Sequence, residues 1–80
     1  MTVKLVFIGK LEDLAGEAER LVQPTETMED LLDTLEPELA RELRGEKIRV
    51  AVNGGVLADA RRITMKDGDE IAFLPPVSGG

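Results

Sequence analysis

The sequence predicts an α+β domain in which helices cover one face of a single β-sheet. Short segments alternate apolar and polar residues, as strands with one buried face do. A leucine-rich segment spaces its apolar residues three or four apart, as an amphipathic helix does. Glycine-containing turns separate these segments. The predicted order is strand, strand, helix, strand, short strand and final strand, so the helical stripe must pack on the sheet.

The N-terminal part predicts two neighbouring strands. Residues 3–8 are β-branched or aromatic at most positions and predict the first strand. Residues 10–16 predict one or two helical turns closed by a glycine. Residues 17–22 predict a second strand, which Pro24 stops and which we expect to pair antiparallel with the first.

The central part predicts the main helices. Thr27 is a predicted N-cap, with Asp30 three residues later as in a capping box. Pro37 either kinks this helix or begins the next, which continues over 38–44 until Gly45. The expected buried stripe consists of Met28, Leu31, Leu32, Leu35, Leu39, Ala40 and Leu43.

The C-terminal part predicts the remaining strands. Residues 47–52 alternate as a strand, and Asn53-Gly54-Gly55 predicts a tight hairpin to a short strand at 56–57. Residues 58–65 have no clear pattern, 66–69 predict a turn, and 70–74 predict the last strand. The sheet side of the core is expected to comprise Leu5, Phe7, Ile48, Val50, Ile71 and Phe73. The opposite face would then carry the apolar residues Ile8, Ala51, Ala72 and Leu74, which suggest either a docking patch or scattered surface residues.

Composition restricts the function more than it defines it. The chain has 80 residues, a net charge of −6, and neither cysteine nor histidine. The negative charge argues against nucleic acid or an anionic membrane as partner and favours a protein with a basic surface. No apolar run is long enough for a signal peptide or a membrane span, so we expect a cytoplasmic protein.

Two acidic segments are candidate cation sites. Six acids lie within thirteen residues, and we interpret them as a solvated helix face because they diverge around a helix. Asp67, Asp69 and Glu70 lack the ligand spacing of a calcium loop and are interpreted as a turn. The first group comprises Glu26, Glu29, Asp30, Asp33, Glu36 and Glu38. No metal site is therefore predicted.

Catalytic chemistry by the chain itself is not evident. Ser78 is the only serine, and no histidine or cysteine is present to activate it or to act as nucleophile. We therefore expect a carrier or a substrate of another enzyme rather than a catalyst.

The C-terminal tail is the strongest functional feature of the sequence. Pro75 and Pro76 favour an extended stem, and Gly79-Gly80 forms a tip without side chains that can enter a narrow channel. A frayed terminus or a cloning scar would also tolerate glycine. The stem favours a functional tail over these two alternatives, because it joins an apolar strand to the tip through two prolines. A free carboxylate on Gly80 could be activated by another protein.

The end of the chain resembles the small subunit family of molybdopterin synthase. Residues 67–80, which read DGDEIAFLPPVSGG, carry this resemblance, and the Pro-Pro-Val-x-Gly-Gly ending is its most specific part. The first strand, residues 11–14, the Asn53-Gly54 turn and the length are also similar. The resemblance implies a ubiquitin-like β-grasp domain over 1–74, with a mixed sheet of about four to five strands, and a flexible tail over 75–80.

The resemblance also implies a sulfur-carrier function and a set of partners. An adenylyltransferase similar to ubiquitin-activating enzymes would adenylate Gly80 with ATP and magnesium, and a desulfurase or rhodanese-like donor would supply sulfur to form a thiocarboxylate. The tail would enter the large synthase subunit and deliver the sulfur to cyclic pyranopterin monophosphate. The chain itself would bind no cofactor.

The same resemblance assigns roles to individual residues. Gly80 would be the attachment point, and tail insertion would use Pro75, Pro76, Val77, Ser78 and Gly79. Phe73 lies in the matched stretch and is a candidate for partner binding, although it also fits the core; Ile8 and Leu74 are added as partner-binding candidates because the strand alternation places them in the apolar patch. Leu74 stands where an aromatic residue is common in the family, which leaves the identity of the partner less certain than the mechanism.

Other functions fit the sequence as well. The chain could carry sulfur for thiamine synthesis or tRNA thiolation, although those relatives seldom have the Pro-Pro-Val stem. It could modify proteins by forming isopeptide bonds through Gly80. A plain interaction module with an accidental tail is the remaining alternative. If the gene continued past Gly80, a protease would have to expose the tail.

Overall fold

The computed structural model describes residues 1–57 and 63–76. Its elements are β1 (Val3–Phe7), α1 (Lys10–Ala15), β2 (Glu19–Val22), α2 (Met28–Asp33), α3 (Pro37–Leu43), β3 (Arg49–Val52), β4 (Gly55–Val56) and β5 (Glu70–Leu74). Most of the unassigned segment 58–65 and the four residues at 77–80 lie outside the described residues.

The five strands form one mixed sheet in the order β2-β1-β5-β3-β4. β1 pairs antiparallel with β2, as predicted, and parallel with β5. β5 also pairs antiparallel with β3 and so lies at the centre of the sheet. The last strand of the chain is therefore bonded on both sides, and the tail that follows it leaves from the middle of the fold.

Both faces of β1 follow the predicted alternation. Val3, Leu5 and Phe7 are at most 1% exposed, whereas Lys4 and Val6 are half-buried on the other side. The helical stripe covers the buried side, and every predicted member of it is buried. The predicted core is confirmed, with Ile48 only partly buried at its margin.

The helix termini explain where the helical segments end. The Thr27 side chain accepts a hydrogen bond from the Asp30 amide at 3.0 Å, which satisfies one free donor at the start of α2. Pro37 begins α3, where its missing amide costs nothing. Gly16 closes α1 in the left-handed conformation. α3 instead ends at a right-handed Arg44, so the expected glycine cap at Gly45 is not of the left-handed type.

The strand boundaries differ slightly from the prediction. β2 and β3 each begin two residues later than expected, at Glu19 and Arg49. The turn between β3 and β4 uses Asn53 (φ 50°) and Gly54 (φ 89°) as predicted, whereas Gly55 has no positive φ and already begins β4, one residue earlier than expected. Local alternation identified these strands, but only the ladder partners decide where hydrogen bonding begins.

Candidate partner-binding surface and tail root

The tail root, which we define as Leu74 to Pro76, is anchored by the loop between β1 and α1. The Ile8 amide donates a hydrogen bond to the Phe73 carbonyl at 3.2 Å, which extends the parallel ladder to the end of β5. Pro75 then passes close to Gly9: a Cβ on Gly9 would lie 3.3 Å from Pro75 Cγ. This loop therefore constrains the path of the chain as it leaves the sheet.

Gly9 is a residue whose role the sequence interpretation missed. Its φ is 59°, a conformation that residues with a Cβ rarely adopt, and it also lies against Pro75. Its backbone conformation and its contact with the tail root both favour glycine. The available signal was a glycine placed directly between a strand and a helix.

The sheet face opposite the helices, which we call the open face, carries a continuous apolar patch. Strand register places Val6 beside Ala72, Ala72 beside Ala51, and Ala51 beside Val56. The next row toward the tail holds Ile8 and Leu74, because Phe7 pairs with Phe73 immediately before them. Ile8 is 41% and Val56 62% exposed. Ala51 is only 6% exposed, so the other members of the patch provide its exposed surface. Exposed apolar surface of this kind is typical of a partner-binding surface.

The predicted partner-binding residues divide between the two faces. Ile8 and Leu74 lie on the open face, as the alternation requires. Phe73, predicted both for the core and for partner binding, takes the first of these positions: it is 1% exposed and stacks on Phe7 with ring centroids 5.8 Å apart. Its side chain belongs to the core because successive residues of a strand point to opposite faces. Phe73 can therefore support the patch from below but cannot offer its ring to a partner.

Charges on the open face are unevenly compensated. Near the start of β1, the Lys4 ammonium lies 3.9 Å from a carboxylate oxygen of Glu19 and 3.9 Å from one of Glu70. Near the tail root, Arg49 is exposed and pairs in register with Leu74. Within the described residues, no carboxylate lies within 4.0 Å of the Arg49 guanidinium.

The acidic residues of α2 and the following turn are partly neutralised within the fold. Arg44 contacts Glu29 and Asp33, each at 2.7 Å. Arg20 donates to both carboxylate oxygens of Glu36, at 2.8 and 3.1 Å. The hydrogen bond from Arg20 lowers the pKa of the Glu36 carboxyl below its usual range. These acids tie separate elements together across the surface of the helical layer.

The acids of the turn before β5 also bind the chain itself. Asp69 accepts from the Asn53 side chain at 3.0 Å and from the Lys66 amide at 2.9 Å, and these bonds lower the pKa of its carboxyl. Asp67 accepts from the Thr2 amide at 2.7 Å. Among the described residues, no three acidic side chains converge in a geometry that would hold a metal ion.

The described part of the site thus contains the tail root and the open face. Val77, Ser78, Gly79 and Gly80 fall outside the described residues, so their predicted roles stay predictions. No helix in residues 1–57 or 63–76 combines the length and the apolar character that crossing a membrane requires.

Comparison with known families decides the relationship. The ThiS family model matches residues 5–80, which include the sheet, the tail root and the Gly-Gly end. The chain belongs to the ThiS family. The family match confirms that the sequence resemblance is genuine and that it extends well beyond the last fourteen residues.

Curated relatives and solved structures agree with this family. The molybdopterin synthase sulfur carrier subunit of Escherichia coli is 32% identical over 98% of this chain and 99% of its own length. The same subunit from Drosophila melanogaster is 34% identical over 100% of this chain and 92% of its own.

The similar solved structures share the fold and differ in their named roles. SAMP1 from Haloferax volcanii has a TM-score of 0.76 at 28% identity, with complete coverage of both chains. A protein–protein complex of subunits 1 and 2 of the molybdopterin-converting factor from Helicobacter pylori has a TM-score of 0.71 at 26% identity, again with complete coverage of both chains. The BexX/CysO complex of Amycolatopsis orientalis has a TM-score of 0.65 at 26% identity, and the match covers 98% of this chain and 99% of the matched chain. The fold is therefore the ubiquitin-like β-grasp that the resemblance implied.

Proposed function

We propose that this protein is the sulfur carrier of molybdopterin synthase and that the carboxylate of Gly80 carries the sulfur. The observation that carries the proposal is the family match, which runs without interruption through the sheet to residue 80. Two curated relatives with almost complete mutual coverage are sulfur carrier subunits of that synthase. The absence of histidine and cysteine from the whole sequence agrees with a carrier that other proteins act upon.

The chemistry begins with activation, because a carboxylate is a poor electrophile. An adenylating enzyme uses ATP and magnesium to join the Gly80 carboxylate to AMP, and pyrophosphate leaves. A persulfide on a desulfurase or rhodanese-like donor attacks the acyl carbon and displaces AMP, which forms an acyl disulfide. A second thiol then reduces the S–S bond of this intermediate, which leaves the thiocarboxylate on Gly80 and a disulfide on the donor. The thiocarboxylate sulfur bonds to cyclic pyranopterin monophosphate, and water then hydrolyses the resulting thioester. The sulfur stays on the acceptor and the Gly80 carboxylate is restored, so the carrier can be used again.

The tail root and the open face supply what this cycle needs from the folded domain. β5 is hydrogen-bonded on both sides, so the tail starts from a rigid point. Pro75 and Pro76 restrict the stem and lower the entropy lost when the tail enters a partner. Gly79 and Gly80 keep the tip narrow, and Val77 and Ser78 contact the entrance. Ile8 and Leu74 dock on the large subunit beside that entrance.

A mass measurement tests the proposal directly. The chain is incubated with its activating enzyme, ATP, magnesium and a sulfur donor, and we expect the intact mass to show one oxygen replaced by sulfur. Deleting Gly80 should abolish this change and molybdopterin formation without altering the circular dichroism spectrum or the Tm. Ser78→Ala is the matched control, since it changes the tail but leaves its end intact.

The results separate the proposal from its alternatives. An intact mass that never gains sulfur would exclude the carrier function. Loss of fold on deleting Gly80 would mean that the tail is structural. Complementation then identifies the pathway: the chain should restore molybdopterin synthesis in a deficient strain and should not restore thiamine synthesis.

A role as protein modifier is the second candidate. The structural match to SAMP1, which belongs to the small archaeal modifier proteins, favours it. In that case activated Gly80 is attacked by a lysine amine and forms an isopeptide bond. Tryptic peptides that carry a C-terminal remnant of this chain on lysine would identify this activity, and the Gly80 deletion should remove them.

A further inference from the structure

We propose that Arg49 selects the partner of the open face by requiring a carboxylate opposite it on the large synthase subunit. This inference rests on the proposed function, and it adds a specificity-determining residue that neither the sequence pattern nor the apolar patch defines. The position of Arg49, its lack of a partner among the described residues, the energetic cost of docking and the chemistry of the guanidinium lead to this inference.

The first feature is position. Arg49 opens β3 and lies beside Leu74 in the ladder, while Val50 beside it is buried with Phe73 on the helical side. Because strand residues alternate, the Arg49 side chain lies on the open face. Ile8 and Leu74 form the same row of the sheet. Arg49 is therefore next to both the tail root and the apolar patch.

The second feature is the lack of a partner. The other cation of the open face, Lys4, lies near two carboxylates, and Arg20 and Arg44 each bind two acids elsewhere. Among residues 1–57 and 63–76, Arg49 has no such neighbour. Arg41, Lys47 and Lys66 also lack a carboxylate within 4.0 Å in this part of the chain, but of these four cations Arg49 is the one that pairs in register with a residue of the apolar patch.

The third feature is the cost of docking. When a partner covers Ile8 and Leu74, it also removes water from around the Arg49 guanidinium. A charge that loses its water without gaining a counterion weakens binding, whereas an opposed carboxylate compensates the loss. A partner that matches the apolar patch but lacks the acid is thus rejected.

The fourth feature is the residue type. The planar guanidinium can donate two parallel hydrogen bonds to one carboxylate, which fixes orientation as well as attraction. Fixing orientation at the tail root matters because the tail must enter the partner from this point. Aspartate or glutamate in the partner is the chemistry that fits.

Binding measurements with the cognate large subunit test the inference. We expect Arg49→Leu to weaken Kd about tenfold and Arg49→Glu about a hundredfold or more, with Arg49→Lys between wild type and Arg49→Leu. Arg41→Glu is the matched control, because it makes the same change of charge on α3, in the helical layer. It should change Kd less than about threefold. All variants should keep the wild-type Tm within a few degrees.

Each result decides between selection and its alternatives. Equal effects of Arg49→Glu and Arg41→Glu would show general charge attraction and overturn the inference. If Leu74→Asp abolishes binding while Arg49→Glu binds normally, the open face docks but Arg49 does not select, so the inference fails and the proposed function stands. If the wild-type chain does not bind the large subunit, the proposed function fails as well. A large subunit in which the opposed aspartate or glutamate is replaced by lysine should selectively restore binding of Arg49→Glu, and such a restoration would support the pair.

Discussion

The two faces of the sheet are built from the same strands but serve different purposes. On the covered face, Leu5, Ile71 and Phe73 are at most 1% exposed and pack beneath the helices. On the open face, Val6, Ala72 and Leu74 alternate with them along β1 and β5 and remain half-buried. Burial of apolar area stabilises the fold only where it is completed within the chain. The apolar area of the open face is only partly buried by the described residues, as the proposed docking of a partner requires.

Neighbouring residues on β5 provide the strongest test of this division. Phe73→Ala should remove the stack on Phe7 and leave a cavity, which costs about 3–5 kcal/mol of unfolding free energy. Leu74→Ala should cost less than about 1 kcal/mol, because its side chain is only half-buried. Urea denaturation measures both values.

Substitutions at the same two positions should affect binding in the opposite order when the variants remain folded. Leu74→Ala should weaken the affinity for the large subunit, and Phe73→Leu, which keeps the core apolar, should affect it less. A large loss of stability in Leu74→Ala would contradict the division between the faces. An unchanged Kd in that variant would remove Leu74 from the docking surface.

Arg20 is the charged residue of the covered face and sharpens the comparison. It pairs in register with Leu5, and its guanidinium carbon lies 5.7 Å from the centre of the Phe7 ring. It also donates to Glu17, Glu36 and the Ala15 carbonyl. The hydrogen bond to Glu36 and the nearby acids raise the pKa of the guanidinium above its ordinary value. A charge is accommodated here because several acceptors surround it.

Replacing this arginine should therefore cost more than an ordinary surface change. We expect Arg20→Ala to lower the unfolding free energy by about 1–2 kcal/mol, while Arg20→Lys should lower it less because charge and one hydrogen bond survive. Thermal unfolding of both variants measures the difference. The exposed control Arg41→Ala should stay within about 0.5 kcal/mol of wild type, and an equal loss there would show that the network around Arg20 has no special role.

Acid titration gives the smallest expected effect. The hydrogen bond from Arg20 lowers the pKa of Glu36 in the folded state below the ordinary value of 4.5. The stability that this pair adds is therefore fully present above pH 4.5 and is lost as the pH falls from 4.5 through the folded pKa. Tm should therefore decline below about pH 4.5. Glu36→Gln should flatten part of this decline at the expense of a lower Tm near neutral pH. An unchanged acid profile in Glu36→Gln would mean that the Arg20 pair adds nothing to stability.

Local pattern in the sequence was sufficient for most of the fold. The alternation in β1 and β5, the leucine stripe and the Asn53-Gly54 turn each identify an element, because backbone geometry sets a period of two or 3.6 residues. Burial of Phe73 and exposure of Ile8 followed from the same alternation. The family of the chain was also evident from its last fourteen residues.

Tertiary structure alone decided how these elements combine at the site. No local pattern in the sequence indicates that β1 lies parallel to β5, and the resemblance implied only a mixed sheet, yet this pairing places the tail root at the centre of the sheet. Gly9 meets Pro75, Arg20 meets Glu36, and Arg49 meets Leu74 only because strands distant in sequence become neighbours. Periodicity depends on the local backbone, whereas these contacts depend on which strands pair and in what register. The sequence by itself therefore identified the tail as the candidate reactive segment and determined the element types, and the fold decided which side chains stand beside the tail root.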